Sequence, residues 1–156
     1  VVRGIIIGAE TLTAIAAFEG FYRLAELARR AEAEWAKMDT LILPTTPTTY
    51  KISEVLADPL QLNSNLGLYT NFVNLMDLSA LAVPAGFRQN GLPVGVTVIG
   101  RAFDDKRLAV LGDALHRSLD GIGLGATSVP LASTPSIATT PSKRIEVAVV
   151  GAHLTG

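Results

Sequence analysis

Apolar residues recur every three or four positions between residues 11 and 38, the spacing that places side chains along one face of an α-helix. We therefore predict a helix from about residue 11 to residue 38. Glu19 with Arg23 and Glu26 with Arg30 are spaced four apart, as in pairs that support a solvated helix face. The apolar stripe consists of Ile15, Phe18, Tyr22, Ala25, Ala28, Ala31, Trp35 and Met38.

A short, wholly apolar run at residues 41–43 predicts a β-strand, and a polar loop follows it. Because the run is apolar on both faces, we expect a buried, central strand. Residues 44–50 contain two prolines and four threonines, which predicts a rigid loop. Loops that directly follow buried strands commonly contact ligands, so Thr45 and Thr46 are candidate binding residues. The alternative is a plain connector.

A β-hairpin is predicted farther along the chain. Residues 81–83 form an apolar run that Pro84 is expected to stop, and residues 94–100 form another. Between them lies the dipeptide Asn90-Gly91, which suits the positive φ angles of tight hairpin turns. The two runs are therefore expected to pair with each other.

The segment between the strands is predicted to be helical. Residues 52–62 suggest a short helix and turn that Asp58-Pro59 interrupts, and residues 67–78 a buried helical segment. Asn71 and Asn74 lie three apart and so share a helix face. Because buried amides need hydrogen-bond partners, we expect these two side chains to bind backbone groups or to line a cavity.

A last helix is predicted at residues 105–119, with Asp104 as its cap and Leu108, Leu111, Leu115 and Leu119 on its inner face. Residues 120–143 are rich in Gly, Ala, Pro, Ser and Thr without apolar period, which predicts a flexible linker. Residues 144–156 begin with an apolar strand pattern and are interpreted as the truncated start of a second domain.

Composition excludes several classes of function. The 156 residues carry 13 Lys and Arg against 14 Asp and Glu, so net charge gives no reason to bind nucleic acid or an anionic membrane. No apolar run reaches the roughly 18 residues that suggest a membrane span. The chain has no Cys and two His, which argues against a zinc site and suits a cytoplasmic protein.

The low charge content, 17%, indicates that much of this surface is covered by another part of the same polypeptide or by a partner. The first residue is not Met and lies in an apolar segment. We therefore expect this chain to be a piece of a larger protein.

The residues alone do not predict a complete active site. A Ser-His-Asp triad would need His116 or His153, which are poorly placed, and Asp104-Asp105 is explained by capping. Lys51 and Ser53 would share a strand face and could form a Ser-Lys dyad, but no Gly-rich turn nearby predicts an oxyanion hole. The pattern thus indicates part of a mixed α/β core with a polar loop.

From residue 40 onward, short motifs follow one another in an order that resembles the C-terminal part of the amidase signature family. Within that family, residues 62–78 most resemble allophanate hydrolases, and residues 148–154 resemble the opening of the separate C-terminal domain of those enzymes. The motifs are Leu41-Ile42-Leu43-Pro44-Thr45-Thr46-Pro47, Asp58-Pro59, Tyr69-Thr70-Asn71, Asn74-Leu75, Ala82-Val83-Pro84-Ala85-Gly86-Phe87 and Gly91-Leu92-Pro93-Val94-Gly95-Val96.

The resemblance implies an α/β fold, namely a fragment of the amidase signature fold with a mixed central sheet flanked by helices. Residues 1–119 would be the C-terminal part of the amidase domain. The implied reaction is hydrolysis of allophanate to ammonia and carbon dioxide, in urea or s-triazine nitrogen catabolism. The family uses a Ser–cis-Ser–Lys triad and requires no metal or organic cofactor. No residue of this chain matches a triad member, so no catalytic residue is assigned and the chain alone is expected to be inactive.

Candidate substrate-binding residues are Thr45, Thr46, Asn71 and Asn74. The expected partners are a small-molecule amide substrate, the N-terminal part of the amidase domain and, for the complete enzyme, a second copy in a homodimer; neither nucleic acid nor membrane is expected. Two alternatives stay open: another amidase signature amidohydrolase or glutaminase subunit, and a non-catalytic assembly module.

Overall fold

The computed structural model describes residues 2–119, 123–124, 127 and 129–133. The predicted linker, residues 120–143, lies largely outside the described residues, and the predicted second domain, residues 144–156, lies wholly outside them. In chain order the elements are α1 (Val2–Gly8), a 3-10 turn (Ala9–Thr11), α2 (Ala14–Trp35), β1 (Leu41–Pro44), α3 (Ile52–Ala57), α4 (Pro59–Leu66), α5 (Asn71–Leu75), β2 (Ser79–Phe87), β3 (Pro93–Gly100) and α6 (Asp105–Ser118).

The three strands form an antiparallel sheet in the order β1-β3-β2. The central strand of this described sheet is β3, so the prediction that residues 41–43 are central is wrong within it. Leu41 and Leu43 pack beside Trp35, whereas Ile42 points to the other face and is 47% exposed. A strand is buried on both faces only where other elements pack against both. In the described structure, side chains pack against only the Leu41 and Leu43 face of β1.

The predicted hairpin of β2 and β3 is confirmed. Gly91 in its turn has φ of 78°, and Arg88 N–H donates to the Leu92 carbonyl at 2.8 Å. Contrary to prediction, Pro84 does not end β2, which continues to Phe87 through an irregularity in register between Pro84 and Gly86. A proline is tolerated there because β2 is an edge strand of this sheet, where a missing N–H need not break a ladder.

The core occupies both faces of the sheet. Trp35, Val73 and Ile99 form a buried cluster on one face, and Val83, Val98 and Leu108 form a buried cluster on the other. Adjacent residues of β3 thus point into different clusters, because successive side chains on a strand alternate between faces.

Helix α6 covers the second face, where Leu108 and Leu115 pack as predicted but Leu111 does not. Leu108 is 1% exposed and Gly112 is buried, whereas Leu111, predicted to face inward, is 37% exposed. Asp104 caps the helix through its backbone carbonyl, which accepts from Leu108 N–H at 2.9 Å, and not through its side chain. Its carboxylate instead accepts from Arg107 at 2.8 Å.

The predicted long helix is confirmed, with shorter bounds. It begins after Thr13, whose hydroxyl accepts from Ala16 N–H at 3.1 Å, and ends at Trp35. The apolar stripe is buried only at its C-terminal end, since Trp35 is 6% exposed while Phe18 and Tyr22 are 60% and 71% exposed.

No single helix among the described residues is long and apolar enough to cross a membrane. Two helical segments, residues 2–11 and 14–35, reach the required length and composition only when they are taken together, and the chain bends by 102° between them.

Candidate functional site

A groove of about 450 Å³ lies where the end of β1 meets the β2–β3 hairpin. Its wall combines apolar strand residues with two hydroxyl side chains from the loop after β1, and none of its lining residues is ionisable. The lining residues are Thr45, Thr46, Ala82, Val83, Pro84, Gly86, Phe87, Pro93, Val94 and Gly95.

Thr45 is held in the groove wall by two contacts with β3. Its N–H donates to the Gly95 carbonyl at 3.0 Å, which extends the strand pairing by one residue beyond β1. Its hydroxyl oxygen lies 3.0 Å from the hydroxyl oxygen of Thr97, and the two hydroxyls share a hydrogen bond. Thr97 is itself buried, with 4% exposure, so this bond is shielded from water on one side.

Thr46 is exposed and has a different partner. Its hydroxyl lies 3.1 Å from the Thr48 carbonyl oxygen, and because a carbonyl can only accept, the hydroxyl donates its proton there. The lone pairs of the Thr46 oxygen thus stay available to a donor in the groove.

Asn71 and Asn74 lie on α5 and do not belong to the groove lining. Both are exposed, so the expectation that these amides are buried is wrong in the described chain. The Asn71 side chain lies over Gly67, where an added Cβ would come within 2.2 Å of its Oδ1. Their assignment to substrate binding stays a prediction.

The Ser-Lys dyad does not form. Lys51 precedes α3 and Ser53 lies inside it, so the two do not share a strand face, and both are exposed. His116 has a structural partner, because its Nε2 lies 3.0 Å from the Gly123 carbonyl and therefore carries the proton. His153 lies outside the described residues.

The described residues contain no group of three His, Asp or Glu side chains that could hold a metal ion. The two side chains with clearly shifted pKa values among the described residues lie on α6, away from the groove lining. The hydrogen bond from Arg117 lowers the pKa of the Asp113 carboxyl, and the same bond raises the pKa of the Arg117 guanidinium. The groove is accordingly a neutral surface, suited to hydrogen bonding and shape.

The sequence pointed to Thr45 and Thr46, which line the groove, but not to the β3 residues that contact Thr45. Thr97 is a polar residue within the otherwise apolar run Val94–Gly100, and that break in the pattern was the available signal. The role of Gly95 could not be predicted, because a glycine in a strand can mark a bulge, a bend or a close approach of another segment.

Comparison with known proteins agrees with this architecture. The chain is 37% identical to the urea amidolyase of Saccharomyces cerevisiae over 163 residues, covering 99% of this chain and 9% of that protein. A solved structure of a point variant of Kluyveromyces lactis allophanate hydrolase matches with a TM-score of 0.70 and 42% identity, over 73% of this chain and 19% of that one. A glutamyl-tRNA(Gln) amidotransferase subunit from Thermotoga maritima matches with a TM-score of 0.60 and 32% identity, over 83% of this chain and 28% of that one.

This chain therefore spans a small part of the length of the relatives that it matches. The family described as Amidase matches residues 1–109, which is most of the chain and includes the groove. The predicted resemblance to the amidase signature family is thus confirmed: the chain belongs to the amidase family.

Proposed function

We propose that this chain forms the C-terminal part of an amidase domain that hydrolyses allophanate to ammonia and carbon dioxide. The observation that carries the proposal is the 42% identity and TM-score of 0.70 with an allophanate hydrolase, against 32% and 0.60 with the amidotransferase subunit. The match to a urea amidolyase over 99% of the chain supports the same substrate.

The proposed partner is the N-terminal part of the amidase domain. The chain matches only 9% of the length of the yeast urea amidolyase, so most of that protein has no counterpart here. A series of exposed apolar side chains from α1 to α2, which we call the apolar arm, supports this partner, because exposed apolar patches commonly mark interfaces. The apolar arm consists of Ile5, Ile6, Ile7, Leu12, Ile15, Phe18, Phe21 and Tyr22, each at least 49% exposed.

Within that enzyme we propose that the groove is part of the wall of the substrate cavity. Thr45 and Thr46 contribute hydroxyl groups to an otherwise apolar surface, the usual composition of a small-molecule site. We also propose that Asn71 and Asn74 contact the substrate. Because they lie on α5, outside the groove lining, this requires that residues from the rest of the domain extend the cavity over α5.

Amide hydrolysis also requires a nucleophile, a base that activates it and donors that stabilise the oxyanion. The groove lining offers threonine hydroxyls without a neighbouring base, so we propose that all three come from the rest of the domain. The 156-residue chain alone is then expected to be inactive, since loss of such a triad lowers kcat by about a million-fold in other serine hydrolases.

The test is ammonia release from allophanate by two samples. The first is the chain alone, and the second is Kluyveromyces lactis allophanate hydrolase in which the matching segment is replaced by this chain. We expect turnover from the chimera and none from the chain. Turnover by the chain alone would contradict the proposed division of labour, and a folded but inactive chimera would contradict the proposed function.

A second candidate is a glutaminase-type subunit, which the match over 83% of the chain to the amidotransferase subunit favours. Assays of the complete enzyme with allophanate, malonamide and glutamine separate the two, since a preference for glutamine would select the second. A non-catalytic assembly module would leave the apolar arm without an amidase partner, and it is favoured if the folded, purified chain does not associate with the N-terminal part of the amidase domain in size-exclusion chromatography.

Thr46→Val in the complete enzyme tests the cavity wall. The change removes a hydroxyl at an exposed position, so we expect a higher KM or a lower kcat without a lower Tm. Unchanged kinetics would remove Thr46 from the site.

We also propose that the complete enzyme is cytoplasmic and forms a homodimer. Analytical ultracentrifugation of the complete enzyme would test the homodimer.

A further inference from the structure

We propose that Thr97 is a positioning residue that orients the Thr45 hydroxyl, so that Thr45 and Thr46 present one donor and one acceptor to the amide group of a substrate. This inference deepens the proposed function and rests on it. Thr97 does not line the groove, and its effect on substrate is therefore exerted through Thr45.

The loop after β1 approaches β3 closely at Gly95. Gly95 has no side chain, and a Cβ added there would lie 3.1 Å from the Thr45 hydroxyl oxygen and 3.4 Å from the Val83 carbonyl oxygen. The glycine thus leaves the space in which Thr45 bonds to β3. The contact between the loop and β3 joins Thr45 to Thr97, two residues that are 52 apart in the chain.

The burial of Thr97 sets the direction of that bond. Its hydroxyl has no other acceptor among the described residues, so we assign its proton to the Thr45 oxygen 3.0 Å away, which leaves the Thr45 proton free to be donated to an acceptor in the groove. Thr46 has already donated to the Thr48 carbonyl and can only accept. The two neighbouring hydroxyls therefore offer complementary roles.

One donor beside one acceptor suits a neutral amide group. A neutral amide or ureido group carries a carbonyl oxygen that accepts and N–H groups that donate, so it matches one donor beside one acceptor. A carboxylate only accepts, and the groove lining provides no cation to neutralise it. The geometry points to the uncharged amide end of the substrate as the part that contacts this wall.

The test is a set of variants in the complete, active enzyme, or in the chimera described above. Thr97→Val removes the buried hydroxyl, and we expect KM to rise by about three- to tenfold, the effect of losing one neutral hydrogen bond. Thr97→Ser keeps the hydroxyl and is expected to restore KM to near the original value. The matched control is Thr40→Val, since Thr40 donates to the Ile99 carbonyl at 2.8 Å and does not line the groove.

Both valine variants lose a partly buried hydrogen bond, so both are expected to lower Tm, but only Thr97→Val should raise KM. In a Thr45→Val background, Thr97→Val should add little to the change in kcat/KM, because the residue through which it acts has lost its hydroxyl. Additive effects, or a Thr97→Val enzyme with the kinetics of Thr40→Val, would overturn the inference.

The same experiment distinguishes the inference from the proposed function. An unmodified enzyme that prefers malonamide or glutamine refutes allophanate as the substrate, and the coupling between Thr45 and Thr97 is then measured on the preferred amide. An unmodified enzyme that hydrolyses no amide refutes both.

Discussion

Replacing Leu108 by alanine tests how α6 sits on the sheet. Leu108 is 1% exposed and belongs to a cluster with Val83 and Val98. Its Cδ2 would lie only 3.1 Å from a Cβ added at Gly100, so the side chain is closely surrounded. Neighbours packed this tightly can relax only in part into the space that the shorter side chain leaves.

The expected cost has two parts. Leucine to alanine removes three carbon atoms, worth about 2.4 kcal/mol at roughly 0.8 kcal/mol each. The residual cavity adds to this, and buried leucine to alanine changes cost about 2–5 kcal/mol in all. We expect about 3 kcal/mol, which lowers the urea midpoint by about 2 M if the slope is about 1.5 kcal/mol/M.

The assay is urea unfolding of the chain, followed by the fluorescence of Trp35 and by far-ultraviolet circular dichroism. Trp35 is the single tryptophan and lies in the cluster on the opposite face of the sheet, so a matching shift by both probes shows that the two faces unfold together. Leu111→Ala on the same helix is the control, with an expected cost below about 1 kcal/mol because Leu111 is 37% exposed. Equal costs for the two variants would refute the described register of α6.

Three smaller changes test local features. Gly91→Ala forces φ of 78° on a residue with a Cβ and is expected to cost about 1 kcal/mol or more, with Gly91→Asn closer to neutral, by urea unfolding. Asp58→Ala removes the acceptor of the Gln61 N–H at 3.3 Å and should cost about 1 kcal/mol, whereas Asp58→Asn should cost less; equal costs would argue against capping. Arg117→Gln should raise the pKa of Asp113 toward its ordinary value, measured by NMR titration. Because the native pKa is lowered, the stabilisation is present above the unfolded-state pKa and is lost as pH falls through the native pKa, so the variant should show a weaker acid-side loss of stability.

Several features of this chain were predictable because they depend on neighbours in sequence. The three- and four-residue spacing predicted α2 to within three residues at each end, and Asn90-Gly91 predicted the hairpin turn. The break between α3 and α4 was also predictable, because Asp58-Pro59 suits the start of a helix. Each of these signals acts over one or two turns of backbone.

Other features were decided only by contacts between distant segments. Pro84 was expected to stop a strand, yet β2 continues past it because the proline lies on an edge of the described sheet. Leu111 fits the same helical period as Leu108, yet Gly112 takes the inner position, where an added Cβ would come within 2.4 Å of the Leu81 side chain. A periodic pattern defines a stripe but does not say which edge of that stripe meets the sheet.

The candidate site divides in the same way. Sequence alone determined the family through an ordered series of motifs, and it placed two hydroxyl residues in a rigid loop after a strand. Only the tertiary structure brought Thr45 against Thr97 and Gly95, because antiparallel pairing of β1 with β3 joins segments that are about fifty residues apart. The physical reason is that backbone propensity and periodicity are local, whereas the partner of a side chain depends on how whole elements pack.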